Sequence, residues 1–259
     1  MTTRLILTLT LILLTQLVFG QVYLYFRISD KVDLNNKSAT EIYEELVIGN
    51  KTIRYFKTLN QSNQLLSDER RDENDNFIAK YTYTYDPVTS VRTSSKKEFK
   101  NDKGERYINT EKYEYDKNRH LIGVIHLDNS DKLFQIVKIT NNKYGHPIKL
   151  ETFTQDGHQT GYENVSYDYE ENNAEYEQVD GNGNTYNSGS FTIDHRTKKN
   201  NPKSNIEYDK YGNLIKFPNG YNEIEYDKFG NWTSIKSNRK SDNTFILSQT
   251  HRRTIKYRE

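Results

Sequence analysis

The chain has 259 residues, and its hydrophobic fraction of 33% is rich in aromatic side chains, with 21 Tyr and 11 Phe against one Trp and one Met. Beyond residue 20, 36 Lys and Arg residues balance 36 Asp and Glu residues, which argues against a nucleic-acid-binding protein because phosphate recognition needs a basic excess. The absence of cysteine excludes disulfides, thiolate metal sites and thiol catalysis. A tyrosine-rich chain of this kind favours β-sheet over a helical core.

The first 20 residues have the pattern of a secretory signal peptide. One arginine precedes the apolar stretch Leu5–Phe19, and small or tolerated residues, Val18 and Gly20, stand just before Gln21. We therefore predict cleavage after Gly20, export to the periplasm, the cell surface or the medium, and no membrane span in the mature chain. The alternative is an uncleaved anchor, since Val22–Phe26 extends the apolar character.

Two segments near the C-terminus are nearly copies of each other. Residues 206–217 read I-E-Y-D-K-Y-G-N-L-I-K-F, and the repeat at 224–235 begins I-E-Y-D-K-F-G-N-W. In such a unit the aspartate opens a turn by binding backbone amides ahead of it, and glycine supplies the positive φ that closes a tight hairpin. Each copy therefore predicts a β-hairpin. The predicted turn residues are Tyr208, Asp209, Gly212 and Asn213 in the first copy and Tyr226, Asp227, Gly230 and Asn231 in the second.

Similar turn markers recur along most of the chain, on average every 14.1 residues between positions 72 and 227. Between them, apolar and aromatic residues alternate with period two, as in a strand with one buried face. The pattern predicts an all-β fold, an antiparallel β-hairpin repeat array forming one domain over residues 21–259 as an extended or curled sheet. The markers are Asp72, Asp86, Asp102, Asp116, Asp128, Asn142, Asp156, Asp168, Asp180, Asp194, Asp209 and Asp227.

One segment predicts a short N-terminal helix instead of a strand. Residues 38–41 read S-A-T-E, a capping-box pattern that precedes Ile42, Tyr43 and Leu46. The basic segment 195–205 is predicted to be a solvated loop.

The residue patterns that carry common chemistries are missing from the sequence. None of the six histidines has metal-ligand spacing, although His120 and His126 come nearest, and most are predicted to be solvated in turns. Residues 180–184, D-G-N-G-N, approach a calcium loop but continue with Thr185 and Phe191 where Gly and Glu are needed, so a hairpin turn explains them better. Trp232 is predicted to have a core role. The sequence assigns no catalytic residue, cofactor or metal.

The unit at residues 208–213, Y-D-K-Y-G-N, and its copy at 226–231, Y-D-K-F-G-N, resemble the YD repeat of bacterial RHS-like proteins. The ending, with G-N-W-T at 230–233 and R-R-T-I-K-Y at 252–257, is similar to small secreted YD-repeat proteins. The resemblance implies a β-hairpin array that binds carbohydrate or other surface material, and it implies no catalytic residues. This chain lacks the long repeat tract and the appended toxin-like domain of large RHS proteins.

Three functions are compatible with these patterns. The leading hypothesis is a non-enzymatic extracytoplasmic binding or scaffold protein whose tyrosine-bearing sheet contacts glycan or cell-surface material. The alternative is a protein-binding immunity or accessory factor of a secreted toxin or surface complex, which would use the sheet edges to recruit a strand. A hydrolase with two spaced carboxylates is a third hypothesis, but any pair among 36 acidic residues fits it.

Overall fold

The computed structural model describes residues 32, 34–100, 103–193, 206–242 and 244–259, and the predicted signal peptide and the basic loop at 195–205 lie outside them. The described residues form 17 strands and no helix, and every strand pair with a defined register is antiparallel, so the all-β antiparallel prediction is confirmed. Accordingly, none of the described segments is a helix that could span a membrane. The strands are β1 (Ala39–Ile48), β2 (Lys51–Leu59), β3 (Leu65–Arg71), β4 (Phe77–Tyr85), β5 (Arg92–Lys100), β6 (Arg106–Tyr115), β7 (Leu121–Leu127), β8 (Leu133–Asn141), β9 (Pro147–Thr154), β10 (Gln159–Asp168), β11 (Asn173–Asp180), β12 (Thr185–Thr192), β13 (Glu207–Tyr208), β14 (Leu214–Phe217), β15 (Gly220–Tyr226), β16 (Trp232–Ser241) and β17 (Thr244–Tyr257).

The described chain divides into two compact units. The first unit comprises residues 86–94 and 110–193, and the second comprises residues 32–85, 95–109 and 206–259. Two of the boundaries fall inside strands β5 and β6 rather than in a linker. The sequence predicts a single domain over residues 21–259 because no Gly/Ser-rich or Pro-rich linker interrupts it.

In the first unit, strands β6 to β12 pair with their neighbours in chain order. Successive side chains of each strand point to opposite faces of the sheet, and the side chains of one face pack into an apolar core. Val124 and Val137, which are opposite each other in β7 and β8, are completely buried, and Leu150 in β9 is 1% exposed. The buried members of this core are Tyr113, Val124, Val137, Ile139, Leu150, Val165, Ala174 and Phe191.

In the second unit, β13 to β17 pair in chain order, β17 then pairs with β1, and β1 to β4 continue the sequence of pairs. Its apolar core is smaller and consists of Ala39, Ile42 and Leu59. Several charged side chains are buried here as well, among them Glu44, Asp68 and Arg253, at 5%, 5% and 7% exposure. Because β17 pairs with β1 from Ala39 to Ile48, the last described strand holds the first one in place.

The helix predicted at residues 38–46 is wrong, because this segment is strand β1. The strand pairs with β2 on one side and with β17 on the other, so that Ile42 lies between Lys57 and Ile255 and is 1% exposed. The two ladders satisfy the backbone groups on both edges of the strand. They outweigh the local preference of the capping box, which satisfies only the amides at a helix end.

One turn geometry recurs throughout the described residues. At nine hairpins the first turn residue donates its N–H to the carbonyl of the fifth residue and accepts a hydrogen bond from the N–H of the fourth. The fourth residue has a positive φ, as in a three-residue loop that ends in a G1 bulge. These turns begin at Asn60, Asp72, Asp116, Asp128, Asn142, Thr154, Asp180, Asp209 and Asp227.

The predicted turn markers fit this geometry with three differences. Asp156 is the third residue of its turn, because Thr154 opens it and accepts the N–H of His158 on its hydroxyl. At Asp86 and Asp168 the residue with positive φ, Ser90 or Asn172, comes one position later. The turn at Asn60 is not among the predicted markers, and Asp102 and Asp194 lie outside the described residues.

Candidate functional site

The first clear repeat folds into a turn that a later tyrosine holds in place. The Asp209 Oδ1 accepts the N–H groups of Tyr211 and Asn213 at 2.8 and 2.9 Å, and Gly212 closes the turn with φ +79°. The hydroxyl of Tyr226 donates to Asp209 Oδ2 and accepts a hydrogen bond from Asn213 Nδ2 at 3.0 Å. The tyrosine of the second repeat therefore stabilises the turn of the first.

The second repeat is held in the same way. The Asp227 Oδ1 accepts the N–H groups of Phe229 and Asn231, and Gly230 has φ +82°. The hydroxyl of Tyr257 donates to Asp227 Oδ2, while Asn231 Nδ2 donates to that hydroxyl at 2.7 Å. Asn231 is only 2% exposed, so the hydrogen bond satisfies a buried amide.

The structure brings seven of the eight predicted turn residues into these two clusters. The eighth, Tyr208, lies in β13 opposite Leu214. Sequence reasoning missed Tyr257 as the partner of the second turn. A usable signal exists in the sequence, because I-K-Y at 255–257 matches the I-E-Y at 224–226 that ends with Tyr226.

The ionisation of these clusters indicates a structural role. Burial would raise the pKa of Asp227, but the hydrogen bonds from Tyr257 and from the amides of the turn outweigh it and lower the pKa below 3.8. Burial and the bond to this carboxylate raise the pKa of the Tyr257 phenol to about 12. At neutral pH the pair is thus a carboxylate with a neutral phenol, and neither group is a proton donor or acceptor for chemistry near pH 7.

The first unit contains a turn of the same geometry with different side chains. The Asn142 Oδ1 accepts the N–H groups of Tyr144 and His146 at 2.9 and 3.1 Å, and Gly145 has φ +79°. The hydroxyl of Tyr169 accepts a hydrogen bond from Asn142 Nδ2 at 2.7 Å and lies 3.0 Å from His146 Nδ1. Asparagine and histidine thus take the positions that aspartate and asparagine have in the second unit.

Around this turn four rings form what we call the aromatic turn cluster, Tyr144, His146, Tyr167 and Tyr169. The Tyr144 ring meets Tyr169 edge-on at 5.0 Å, and Tyr167 stacks on Tyr169 at 5.7 Å. Burial, together with the charge of nearby His120, lowers the pKa of His146 below 6.5. The cluster is open to solvent, since Tyr144 is 57% and Tyr169 43% exposed.

Three histidines lie beside carboxylates, and the shortest of the three contacts joins His120 Nδ1 to Asp116 Oδ2 at 3.3 Å. His251 Nε2 is 3.4 Å from Glu44 Oε2, which also accepts a hydrogen bond from Lys57 Nζ at 2.6 Å. Burial alone would raise the pKa of Glu44, but the contacts with His251 and Lys57 lower it to about 2.

In the first unit, His126 Nδ1 is 3.6 Å from Glu111 Oε1, and the hydroxyl of Tyr113 donates to the other oxygen of that carboxylate. Burial lowers the pKa of His126 more than the carboxylate raises it. The sequence predicts only that most of the histidines are solvated, and the pairing register places His126 and His251, both half-buried, beside a carboxylate.

The single tryptophan packs against a buried cation. Arg253 lies 3.9 Å from the centre of the Trp232 ring, and its Nε donates to the Trp232 carbonyl at 3.0 Å. Trp232 is half-buried, so the predicted core role takes the form of a cation–π contact.

The D-G-N-G-N segment is one of the nine hairpin turns. Asp180 Oδ1 accepts the N–H groups of Asn182 and Asn184 at 2.9 and 2.8 Å, and Asn184 Nδ2 lies 3.2 Å from Oδ2. The carboxylate that a calcium ion would need is thus used by the turn itself. Elsewhere in the described part of the chain, three or more acidic, His or Cys side chains do not come together as metal ligands.

Two concave regions lie on the first unit. A cavity of about 130 Å³ is lined by Glu163, Gln178 and Tyr186 among others, and Gln178 Nε2 donates to Glu163 Oε2 at 2.9 Å. A more open groove of about 410 Å³ is lined by Glu175, Tyr176 and neighbouring hydroxyls. Sites for small molecules usually occupy about 300–1,000 Å³, so the cavity is too small for most ligands and the groove is at the lower end of that range.

Comparisons with known proteins do not identify a family. The chain matches no family model and no curated protein. A crystal structure of a porin-like protein from Bacteroides uniformis aligns over 85% of this chain and 99% of its own, at 12% identity and a TM-score of 0.43. The crystal structure of TcdB2-TccC3-Cdc42 aligns over 76% of this chain but only 13% of its own, at 10% identity and a TM-score of 0.23. Both scores are too low to carry an inference about function.

Proposed function

We propose that this chain is an exported, non-enzymatic binding protein and that its aromatic turn cluster contacts glycan. The observation that carries the proposal is the exposure of two rings, Tyr144 (57%) in the Asn142 hairpin turn and Tyr169 (43%), which follows β10 and contacts that turn. Exposed rings of this size offer flat apolar surface together with a polar hydroxyl. A pyranose ring presents the complementary chemistry, an apolar face bordered by hydroxyls.

The polar groups around the rings support a sugar as the ligand. Asn142 Nδ2 and His146 Nδ1 both lie at the Tyr169 hydroxyl, at 2.7 and 3.0 Å. Lys143 Nζ stands 4.9 Å from the centre of the Tyr144 ring. Amide, imidazole and ammonium groups beside a ring provide donors for the sugar hydroxyls without a reactive pair of catalytic groups.

Export and the absence of catalysis are parts of the same proposal. Residues 1–20 have the signal-peptide pattern, and a surface that binds glycan has its ligand outside the cytoplasm. The carboxylates of Glu44, Asp209 and Asp227 serve an ion pair and two turns, and the proposal assigns none of them to catalysis.

A glycan array tests the proposal with a matched pair of variants. Tyr144→Ala removes the most exposed ring of the cluster, while Tyr211→Ala removes the ring at the same turn position in the second unit, where a lysine lies at the same 4.9 Å from the ring centre. We expect the wild-type protein and Tyr211→Ala to bind the same glycans. Loss of one stacking ring lowers the affinity of Tyr144→Ala about tenfold, in the range of 1–3 kcal/mol for ring stacking.

Two results would contradict the proposal. One is a wild-type protein that binds no glycan on the array, whether capsular, cell-wall or host-derived. The other is an equal loss of binding in both variants, which would assign the effect to the stability of the turn. Cleavage of an array glycan by the purified protein would overturn the non-enzymatic part.

A further inference from the structure

The β16–β17 hairpin ends in three consecutive exposed apolar residues. Phe245, Ile246 and Leu247 are 54%, 53% and 57% exposed, although their strand is well packed farther along, where Arg253 is buried. Only Phe245 has a ring contact, an edge-on one with Tyr221 at 5.3 Å. We call residues 236–242 and 244–248 the β17 tip. Contiguous exposed apolar surface of this kind is characteristic of interaction sites.

Part of the β17 tip has an unpaired edge. β17 extends from Thr244, but β1 ends at Ile48, opposite Gln249. Residues 244–248 therefore pair with β16 alone among the residues that the structure describes. In the part of the chain that the structure describes, no strand pairs with the outer side of these five residues, which lie next to the turn that connects β1 to β2.

The direction of the free backbone groups follows from one hydrogen bond. The N–H of Lys240 donates to the Asn219 carbonyl at 2.9 Å, on the side of β15. Lys240 and Phe245 are thus a non-hydrogen-bonded pair of the β16–β17 ladder. The N–H and C=O of Phe245 consequently point away from β16 and toward the open edge, where they can receive a strand.

The charge around this edge is positive. Arg239 and Lys240 are exposed in β16, Lys51 is exposed where β2 begins, and none has an acidic partner in the described part of the chain. Lys236 is opposite Glu223 in β15. Asp242, at the turn itself, is the only carboxylate within residues 236–248.

We propose that the β17 tip binds an acidic, extended peptide segment of a partner protein by strand addition. The edge supplies main-chain hydrogen bonds, Phe245 and Leu247 supply apolar contacts, and the cations select acidic side chains. A second copy of this chain is disfavoured, because pairing two β17 tips would bring Arg239 and Lys240 near their own copies. A lipid bilayer is disfavoured as well, because unpaired backbone groups are not tolerated in hydrocarbon. This inference does not depend on the glycan proposal.

Isothermal titration with three synthetic eight-residue peptides tests the inference on the full chain. One peptide alternates valine with glutamate, the second alternates valine with lysine, and the third is the glutamate peptide with two central prolines. We expect binding of the first alone, with an affinity that falls as salt is added because exposed charges are screened. We expect Arg239→Glu combined with Lys240→Glu to weaken this binding at least about tenfold.

Phe245→Pro addresses the strand edge directly. Proline removes the outward N–H but no hydrogen bond to β16, and edge strands tolerate it, so peptide binding is lost while the melting temperature is kept. Phe134→Ala removes a 65% exposed ring from β8, a strand that has β7 and β9 on its two sides, and this matched apolar control binds as the wild type does. The inference is overturned if no peptide binds, or if the lysine or proline peptide binds as well as the glutamate peptide. It is also overturned if sedimentation shows, in place of peptide binding, a dimer through the β17 tip or binding to anionic vesicles.

Discussion

The two units use the same hairpin turn but differ in what they bury. The first unit fills its inner face with eight buried apolar residues, among them Val124, Val137 and Leu150. The core of the second unit has three such residues, with Ala79 buried in addition, and the unit also buries Glu44, Asp68 and Arg253. The first unit also buries Glu163, which accepts a hydrogen bond from Gln178. The first unit thus depends more on apolar packing, and the second more on ion pairs and hydrogen bonds whose strength varies with pH.

The difference extends to the turns. In the second unit the tyrosines that hold the turns, Tyr226 and Tyr257, bond to carboxylates and are partly covered. In the first unit the corresponding Tyr169 bonds to an amide and an imidazole and is 43% exposed. The comparison shows that the turn needs an oxygen acceptor at its first residue and a residue that tolerates positive φ at its fourth. The fifth residue differs between the units, asparagine at 213 and 231 in the second unit and histidine at 146 in the first.

The largest effect is expected from the fourth turn residue. A Cβ at Gly230 would lie 2.8 Å from the Tyr211 ring, whereas nothing lies within 4 Å of the Cβ position at Gly212. Both glycines have a positive φ, so valine is strained at each site. We expect Gly212→Val to lower the free energy of unfolding by about 2 kcal/mol and Gly230→Val by about 4 kcal/mol, since overpacking adds to the strain. Urea unfolding of both variants measures this, and two unchanged curves would refute the turn assignment.

The next effect concerns the polar interior of the second unit. The pKa of Glu44 is about 2 in the folded protein and 4.5 in the unfolded chain. A lowered carboxyl pKa stabilises the fold above pH 4.5, and the stabilisation is lost as the pH falls toward 2. Glu44 alone accounts for about 3 kcal/mol of that loss.

Urea unfolding between pH 7 and pH 2 measures the contribution in Glu44→Gln. We expect this variant to be less stable than the wild type at pH 7 and to lack the corresponding part of the pH dependence. Glu41→Gln, which removes an exposed ion pair with Lys256, serves as the control and keeps the wild-type profile. An identical pH profile in Glu44→Gln would show that the buried pair does not stabilise the unit.

The smallest effect separates the two kinds of tyrosine. Tyr257→Phe leaves the Asn231 amide, which is 2% exposed, without the phenol that accepts its hydrogen bond, so we expect a loss of about 1–2 kcal/mol. Tyr169→Phe leaves groups that water can reach, and we expect about 0.5 kcal/mol or less. Thermal melts compare the two variants, and a greater loss in Tyr169→Phe would reverse the assignment of structural and exposed tyrosines.

The sequence alone was sufficient for the fold class and for most turns, because aspartate, glycine and period-two alternation are local signals. Residues 209–213 and 227–231 adopt the geometry that their side chains predict. The strand at Ala39–Ile48 could not be predicted, since its pairing with β17 joins residues more than 200 positions apart. Nor could the two units, whose boundaries fall inside strands.

The candidate site was only partly predictable for the same reason. The sequence marks Asn142 and Gly145 as a turn, but the approach of Tyr169 to Asn142, 27 positions away, depends on the strand register. The buried contact between Glu44 and His251 depends on pairing across β1 and β17. In each case a local pattern indicates the turn or the strand, and only the sheet indicates the partner.

The ratio of glycan affinities of Tyr144→Ala and Tyr211→Ala tests the account most directly, with a glycan that the wild-type protein binds on the array. Because both rings occupy the same turn position and only Tyr144 belongs to the aromatic turn cluster, the account predicts about tenfold weaker binding by Tyr144→Ala and wild-type binding by Tyr211→Ala. Equal affinities of the two variants, or no glycan bound by the wild-type protein, would contradict it.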